Sequence, residues 1–154
     1  NYRAGQMIEF KKHITRSMLS SESSTLFVFG DNLERKGMGG QAKEMRGEVN
    51  AVGIPTKRAP AMSSSAFFTD RDFEEWRQAS LPDWRRLFAH AKVGGKIVWP
   101  ADGIGTGLAR LQESAPTIAA AIERNLAALE KVVSYDRSEI SKLRADKDSS
   151  SKEE

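Results

Sequence analysis

The chain has 154 residues, 39% hydrophobic and 29% charged, with 24 Lys and Arg against 21 Asp and Glu and a formal net charge of +3. That length suits one domain with its own core, no apolar run approaches the roughly 20 residues of a membrane span, and the absence of cysteine excludes disulfides, thiol nucleophiles and thiolate metal sites. The isoelectric point near 9.3 comes from interleaved charges rather than a basic block, which permits nucleic-acid contact without indicating it; the start of the chain lacks a secretory pattern, so the expected compartment is the cytoplasm.

Met7 to Phe10 reads as a short strand and Ile14 to Leu19 as a helical turn, broken by the polar cluster SSESS. Thr25 to Phe29, TLFVF, is an uninterrupted apolar run, the pattern of a strand covered on both faces. It ends in Gly30-Asp31-Asn32 and a glycine loop, GMGG, after which Gln41 to Arg46 reads as a short helix capped by Gly47. Asn50 to Pro55 is a second apolar strand, followed at once by Thr56-Lys57-Arg58 and the Ser/Pro loop APAMSSS. From Asp70, apolar residues Phe73, Trp76, Leu81, Trp84, Leu87, Phe88 and Ala91 recur at helical spacing. Pro82 is placed to open a second helix, with Thr69 and Ser80 as the two caps. Gly94-Gly95 ends that segment, Lys96 to Pro100 is a further buried strand, and a second glycine loop, ADGIGTGLARL, follows. Ala115 to Val133 carries Ile118, Ile122, Leu126 and Leu129 on one helical face, with Pro116 suited to the first turn. Asp146 onward is rich in Ser, Lys and acids and reads as disordered or a linker.

Strands that are apolar throughout and alternate with helices predict an α/β domain over residues 1–136, its mixed, largely parallel sheet lying between helical layers, and a flexible polar tail over 137–154. Such sheets take ligands at the carboxyl ends of their strands, and both glycine loops fall there. Glycines that open backbone N–H groups to close approach make an anion site, so a diphosphate is the expected guest. Neither loop is a Walker A sequence, since no Gly-Lys-Ser/Thr follows, and Gly37, Gly39 and Gly40 do not have the dinucleotide-binding spacing. His13 and His90 lack a second ligand at metal spacing, so neither a metal nor a cofactor is expected. Trp76, Trp84 and Trp99 read as core, and Phe67-Phe68 as a pin for the Ser/Pro loop.

The loops and their order give the chain a resemblance to the macrodomains, the ADP-ribose-binding α/β/α fold, and most of all to the ADP-ribosylglutamate hydrolase branch. KKHIT, with Ile14 and Thr15, stands where the family has its Gly-Asp-Ile-Thr turn. Asn32 in VFGDN corresponds to the family's strand-end Asn beside the distal ribose, GIGTGLARL matches its phosphate loop, and IPTKRA resembles the stretch holding the hydrolases' lysine, here Lys57. Two positions depart from the pattern: the adenine-contacting Asp falls at His13, and the acid that partners the lysine falls at Ala109.

The resemblance implies binding of ADP-ribose or a related NAD-derived nucleotide by Ile14, Gly37, Met38, Gly39, Gly40, Gln41, Thr56, Gly103, Ile104, Gly105, Thr106, Gly107 and Leu108. Hydrolysis would release ADP-ribose from a modified protein or nucleic acid, with Lys57 as nucleophile or charge stabiliser, Asn32 as positioner and Asp31 or Asp102 as general base. Because alanine handles no proton, a reader or scavenger without catalysis is the alternative. A nucleic-acid interaction protein using Arg35, Lys36, Lys57 and Arg58 is a second one. The oligomeric state is left open.

Overall fold

The computed structural model describes residues 8–152. Four strands, β1 (Ile8–Lys11), β2 (Leu26–Asn32), β3 (Ala51–Lys57) and β4 (Ile97–Pro100), form one sheet in the order β1-β4-β2-β3; Met7 lies outside the described residues. All the strand pairs are parallel, so the mixed sheet expected from the sequence is corrected to a parallel one. Helical segments separate each strand from the next, and such a crossover returns the chain to the same end of the sheet, where a hairpin would reverse it.

Side chains of β2 alternate between two cores. Phe27 and Phe29 pack with Val98, Leu19 of α1 (Arg16–Ser21) and Ala42 and Met45 of α2 (Ala42–Met45). Leu26 and Val28 face the larger core, where Ile54, Ile97 and Trp99 meet Trp76, Trp84 and Leu87 of α3 (Phe73–Lys92) and Ile118, Ile122 and Leu129 of α5 (Pro116–Lys152). The result is a three-layer α/β/α domain. Burial on both faces is why TLFVF carries no polar alternation, and each such side chain contributes roughly 1.5–3 kcal/mol.

The long helical segment is continuous, against the expected break at Pro82: α3 runs through it. Pro82 is exposed, so water can take the carbonyl that its missing N–H leaves free, while Trp76, Trp84, Leu87 and Ala91 hold the helix on the core. Ser80 consequently caps nothing and is buried. Thr69 does cap, in a reciprocal capping box with Asp72. At the far end α5 continues to Lys152, through the segment expected as a tail from Asp146; no Gly or Pro follows Pro116 to stop it.

Two features pin the sheet edges. On β3 the outward carbonyls of Ala51, Gly53 and Pro55 accept from Arg86 Nη1, Arg35 Nη1 and Trp76 Nε1, so side chains occupy an edge that would otherwise recruit another strand. On β1, Glu9 meets Lys96 Nζ at 2.8 Å. The Lys96 hydrogen bond holds the Glu9 carboxyl below the usual glutamate range, and the same bond raises Lys96. The carboxylate's contribution is present above the ordinary glutamate pKa and disappears as pH falls through the lowered folded value; the ammonium's is present below the ordinary lysine pKa and disappears as pH rises through its raised one. Glu9→Gln should therefore cost at most about 1 kcal/mol near neutral pH and progressively less in acid, read by urea denaturation of both proteins across pH. A cost independent of pH contradicts the assignment.

Candidate functional site

The carboxyl ends of β2 and β4 carry the two glycine loops, and parallel strand direction puts both at one end of the sheet. Between them is a hollow of about 390 Å³, lined by Gly30 to Asn32, the Lys36–Ala42 loop, Arg46, Thr56, Lys57, Pro60, Met62 and the Gly105–Ala109 loop. Its size falls within the roughly 300–1,000 Å³ of small-molecule sites.

The floor depends on absent side chains. A Cβ on Gly30 would sit 3.2 Å from Thr56 Oγ1 and 3.5 Å from the Gly105 N, so glycine at the end of β2 lets the second loop come close. Gly105 itself has φ +74°, and a Cβ there would be 3.0 Å from Leu111 and 3.1 Å from Thr56. Gln41 ties the loops together: its Oε1 accepts from the Gly30 N–H at 2.8 Å, and its Nε2 donates to the Gly103 carbonyl at 3.0 Å. The predicted ligand contact at Gln41 is thus also a brace. Pro55, with no N–H, coincides with a register slip between β2 and β3 that places Asn32 opposite Lys57; buried Thr56 is left to donate to the Asp31 carbonyl at 3.3 Å.

Among the described residues, none accepts a hydrogen bond from the backbone N–H groups of Gly37 to Gln41 or of Gly105 to Ala109. The helices that follow, α2 and α4 (Leu111–Ser114), have four residues each, too few for a substantial macrodipole. Any anion at this end of the sheet would be held by loop amides rather than by a helix terminus.

Charge in the hollow is unbalanced. Its lining includes Lys36, Arg46 and Lys57 against one carboxylate, Asp31. Asp31 is buried, 4% exposed, and paired with Arg46 and, at 3.5 Å, with Arg35. Arg46 also donates to the carbonyls of Gly37 at 2.6 Å and Lys36 at 3.1 Å and lies 5.5 Å over the Phe29 ring, holding the first glycine loop to the end of β2. Arg35 crosses to Asp83 at 2.8 Å and to the Ala79 carbonyl at 3.3 Å, in the turn ahead of Pro82. Burial pushes the Asp83 carboxyl above its usual range, against the pull of Arg35. Neither arginine was among the residues expected to build the site, because Asp83, which draws Arg35 across, is 48 residues away and Asp31, which holds Arg46, is 15 residues away.

The predicted site residues separate into three sets. Asp31, Asn32, Gly37 to Gln41, Thr56, Lys57 and Gly105 to Leu108 share the hollow. Ile14 does not; it packs on the core beneath α1 and α2. Gly103, Ile104 and Asp102 lie in the second loop but outside the lining. Ile104 is buried in the main core, and Asp102 is exposed, its carbonyl accepting from Thr106 Oγ1 at 2.9 Å. The side chain of Asn32 is spent locally, Nδ2 donating to the Lys36 carbonyl at 2.7 Å, which shapes the loop. Lys57 Nζ donates to the Ala61 carbonyl at 2.5 Å and stands 4.7 Å from the Phe67 ring centre. Ala109, where the resembled hydrolases carry an acid, lines the hollow. His90 bonds the Lys96 carbonyl at 2.9 Å against Gly95, and His13 is exposed. No group of three His, Asp or Glu among the described residues could hold a metal ion, and no helix there is long and apolar enough to cross a membrane.

No curated protein and no solved structure matches the chain. Residues 9–125, which run from β1 through both glycine loops into α5, match a family described as of unknown function, DUF7831. Since that match covers well over half of the sequence and the whole of the hollow, the chain belongs to the DUF7831 family.

Proposed function

We propose that this domain binds the diphosphate of ADP-ribose or a related NAD-derived nucleotide, and that it does so as a reader or scavenger rather than as a hydrolase. One observation carries the reading: two glycine loops, from the ends of different strands, line one hollow with backbone amides that have no acceptor among the described residues and with an excess of cationic side chains. A diphosphate supplies acceptors for two rows of N–H donors, and each hydrogen bond to a charged group contributes about 1.5–3 kcal/mol. Lys36, whose ammonium has no partner among the described residues, adds charge at the rim. The resemblance to macrodomains at GIGTGLARL supplies the nucleoside part of the proposal, and ADP-ribosylated protein or nucleic acid the class of partner.

Binding is favoured over hydrolysis because no carboxylate among the described residues stands free in the hollow. Asp31 is held by two arginines, Asp102 stands outside, and Ala109 occupies the acid position of the resembled enzymes. A nucleic-acid surface built on Arg35 and Arg58 is disfavoured, since Arg35 pairs with Asp83, and Arg58 with Asp72 and Glu75. The proposed compartment is the cytoplasm, on the cysteine-free composition.

Titration calorimetry with ADP-ribose is expected to give saturable binding that pyrophosphate competes away, while an ADP-ribosylated protein incubated with the domain releases no ADP-ribose. Product release abolished by Lys57→Ala would establish the hydrolase instead. Binding to nucleic acid that falls steeply with salt and ignores ADP-ribose would overturn both.

A further inference from the structure

We propose that Met62 is an oxidation site whose sulfoxide captures the Lys57 ammonium on the wall of the hollow and keeps it from a ligand. The chain has no cysteine, so reversible sulfur oxidation falls to its methionines. Met18 and Met45 pack in the core beneath α1 and α2, whereas Met38 and Met62 are 54% and 57% exposed and both line the hollow. Only Met62 of this exposed pair touches a cation: its Sδ is 3.7 Å from Lys57 Nζ.

The ammonium of Lys57 is held by one carbonyl, an aromatic face and that thioether, all from the Ala61–Phe67 stretch. Thioether sulfur is a weak acceptor, and this contact can be given up when an anion enters. A hydroperoxide changes that balance. The Sδ lone pair attacks one oxygen of hydrogen peroxide, the O–O bond breaks, and the proton on the sulfur-bound oxygen passes to the leaving hydroxide, giving the sulfoxide and water; sulfur is oxidised by two electrons and the peroxide reduced by two. The new S–O oxygen is a strong acceptor within hydrogen-bond reach of Nζ. Lys57 then bonds the sulfoxide instead of turning towards a ligand.

The effect on ligand affinity rests on the diphosphate reading above; the effect on Lys57 does not, and the two are measured apart. Wild-type protein and Met62→Leu are treated with hydrogen peroxide, Met62 oxidation is scored by peptide mass, and acylation of Lys57 by an amine-reactive ester is followed with pyrophosphate affinity. Oxidised wild type should show several-fold slower acylation of Lys57 and about tenfold weaker pyrophosphate binding, both restored by methionine sulfoxide reductase. Met62→Leu should keep its own untreated acylation rate after peroxide. Unchanged acylation in protein with oxidised Met62, or an equal fall in Met62→Leu, overturns the proposal. Slower acylation in a protein that fails to bind pyrophosphate even when reduced supports the Met62 assignment and removes the nucleotide reading.

Discussion

Asp31→Asn should lower the free energy of unfolding by about 3 kcal/mol and release the first glycine loop. The carboxylate is 4% exposed and balances Arg46, itself 19% exposed, together with Arg35 at 38%. Asparagine fills the same space but leaves the Arg46 guanidinium facing an amide, and breaking a buried pair from one side costs about 3–5 kcal/mol; the partial exposure of both arginines puts this case at the lower end. Gly53 shows how tightly the group is housed, because a Cβ there would stand 2.5 Å from Asp31 Oδ2. With Arg46 no longer oriented, the Gly37 carbonyl loses its donor and the Lys36 carbonyl keeps only Asn32 Nδ2, and amide exchange at Ala42 to Glu44, whose N–H groups bond the carbonyls of Gly39 to Gln41, should quicken. Combining Asp31→Asn with Arg46→Met should cost less than the sum of the single changes, since the stranded charge goes too. Urea denaturation of the four proteins tests this. A loss under about 1 kcal/mol would place Asp31 with the surface ion pairs, and a stable Asp31→Asn protein would reopen its role as a base.

That clamp also marks where sequence reading stops. The carboxyl-end location of both loops was legible because TLFVF and KIVWP are apolar throughout, which identifies strands covered on both faces, and parallel strands present their ends together. Side-chain partnerships were not legible in the same way. Asp31 and Asn32 look like free polar groups at a strand end, yet one is neutralised from positions 35 and 46 and the other is consumed by the Lys36 carbonyl. Asp102 sits one residue from the second loop's first glycine, but the backbone directs it outward while Ile104 turns into the core. Pro82 misleads for a related reason: its local preference for a helix start is outweighed by four apolar contacts spread along α3. Ile14 matches a motif residue by order in the chain, and the fold uses it to cover Phe27 and Phe29 instead.

On the nucleotide reading proposed above, Gly105→Ala should weaken ADP-ribose and pyrophosphate binding at least about a hundredfold, the equivalent of two misaligned hydrogen bonds to a charged group. Alanine there must adopt φ +74°, which costs roughly 1–2 kcal/mol, and its Cβ would press on Leu111 Cδ2 at 3.0 Å and Thr56 Cγ2 at 3.1 Å. Neither neighbour can yield easily, as both are buried. The loop must therefore move away from the floor, carrying the N–H groups of Gly105 to Leu108 out of line with those of Gly37 to Gln41. Gly47→Ala separates this effect from general destabilisation. Gly47 has φ +93°, a Cβ there would meet nothing within 4 Å, and the residue lies outside the hollow, so alanine should cost about 1 kcal/mol of stability and leave affinity unchanged. If Gly105→Ala folds and binds pyrophosphate as wild type does, the two loops do not share an anion, and the hollow serves some other guest.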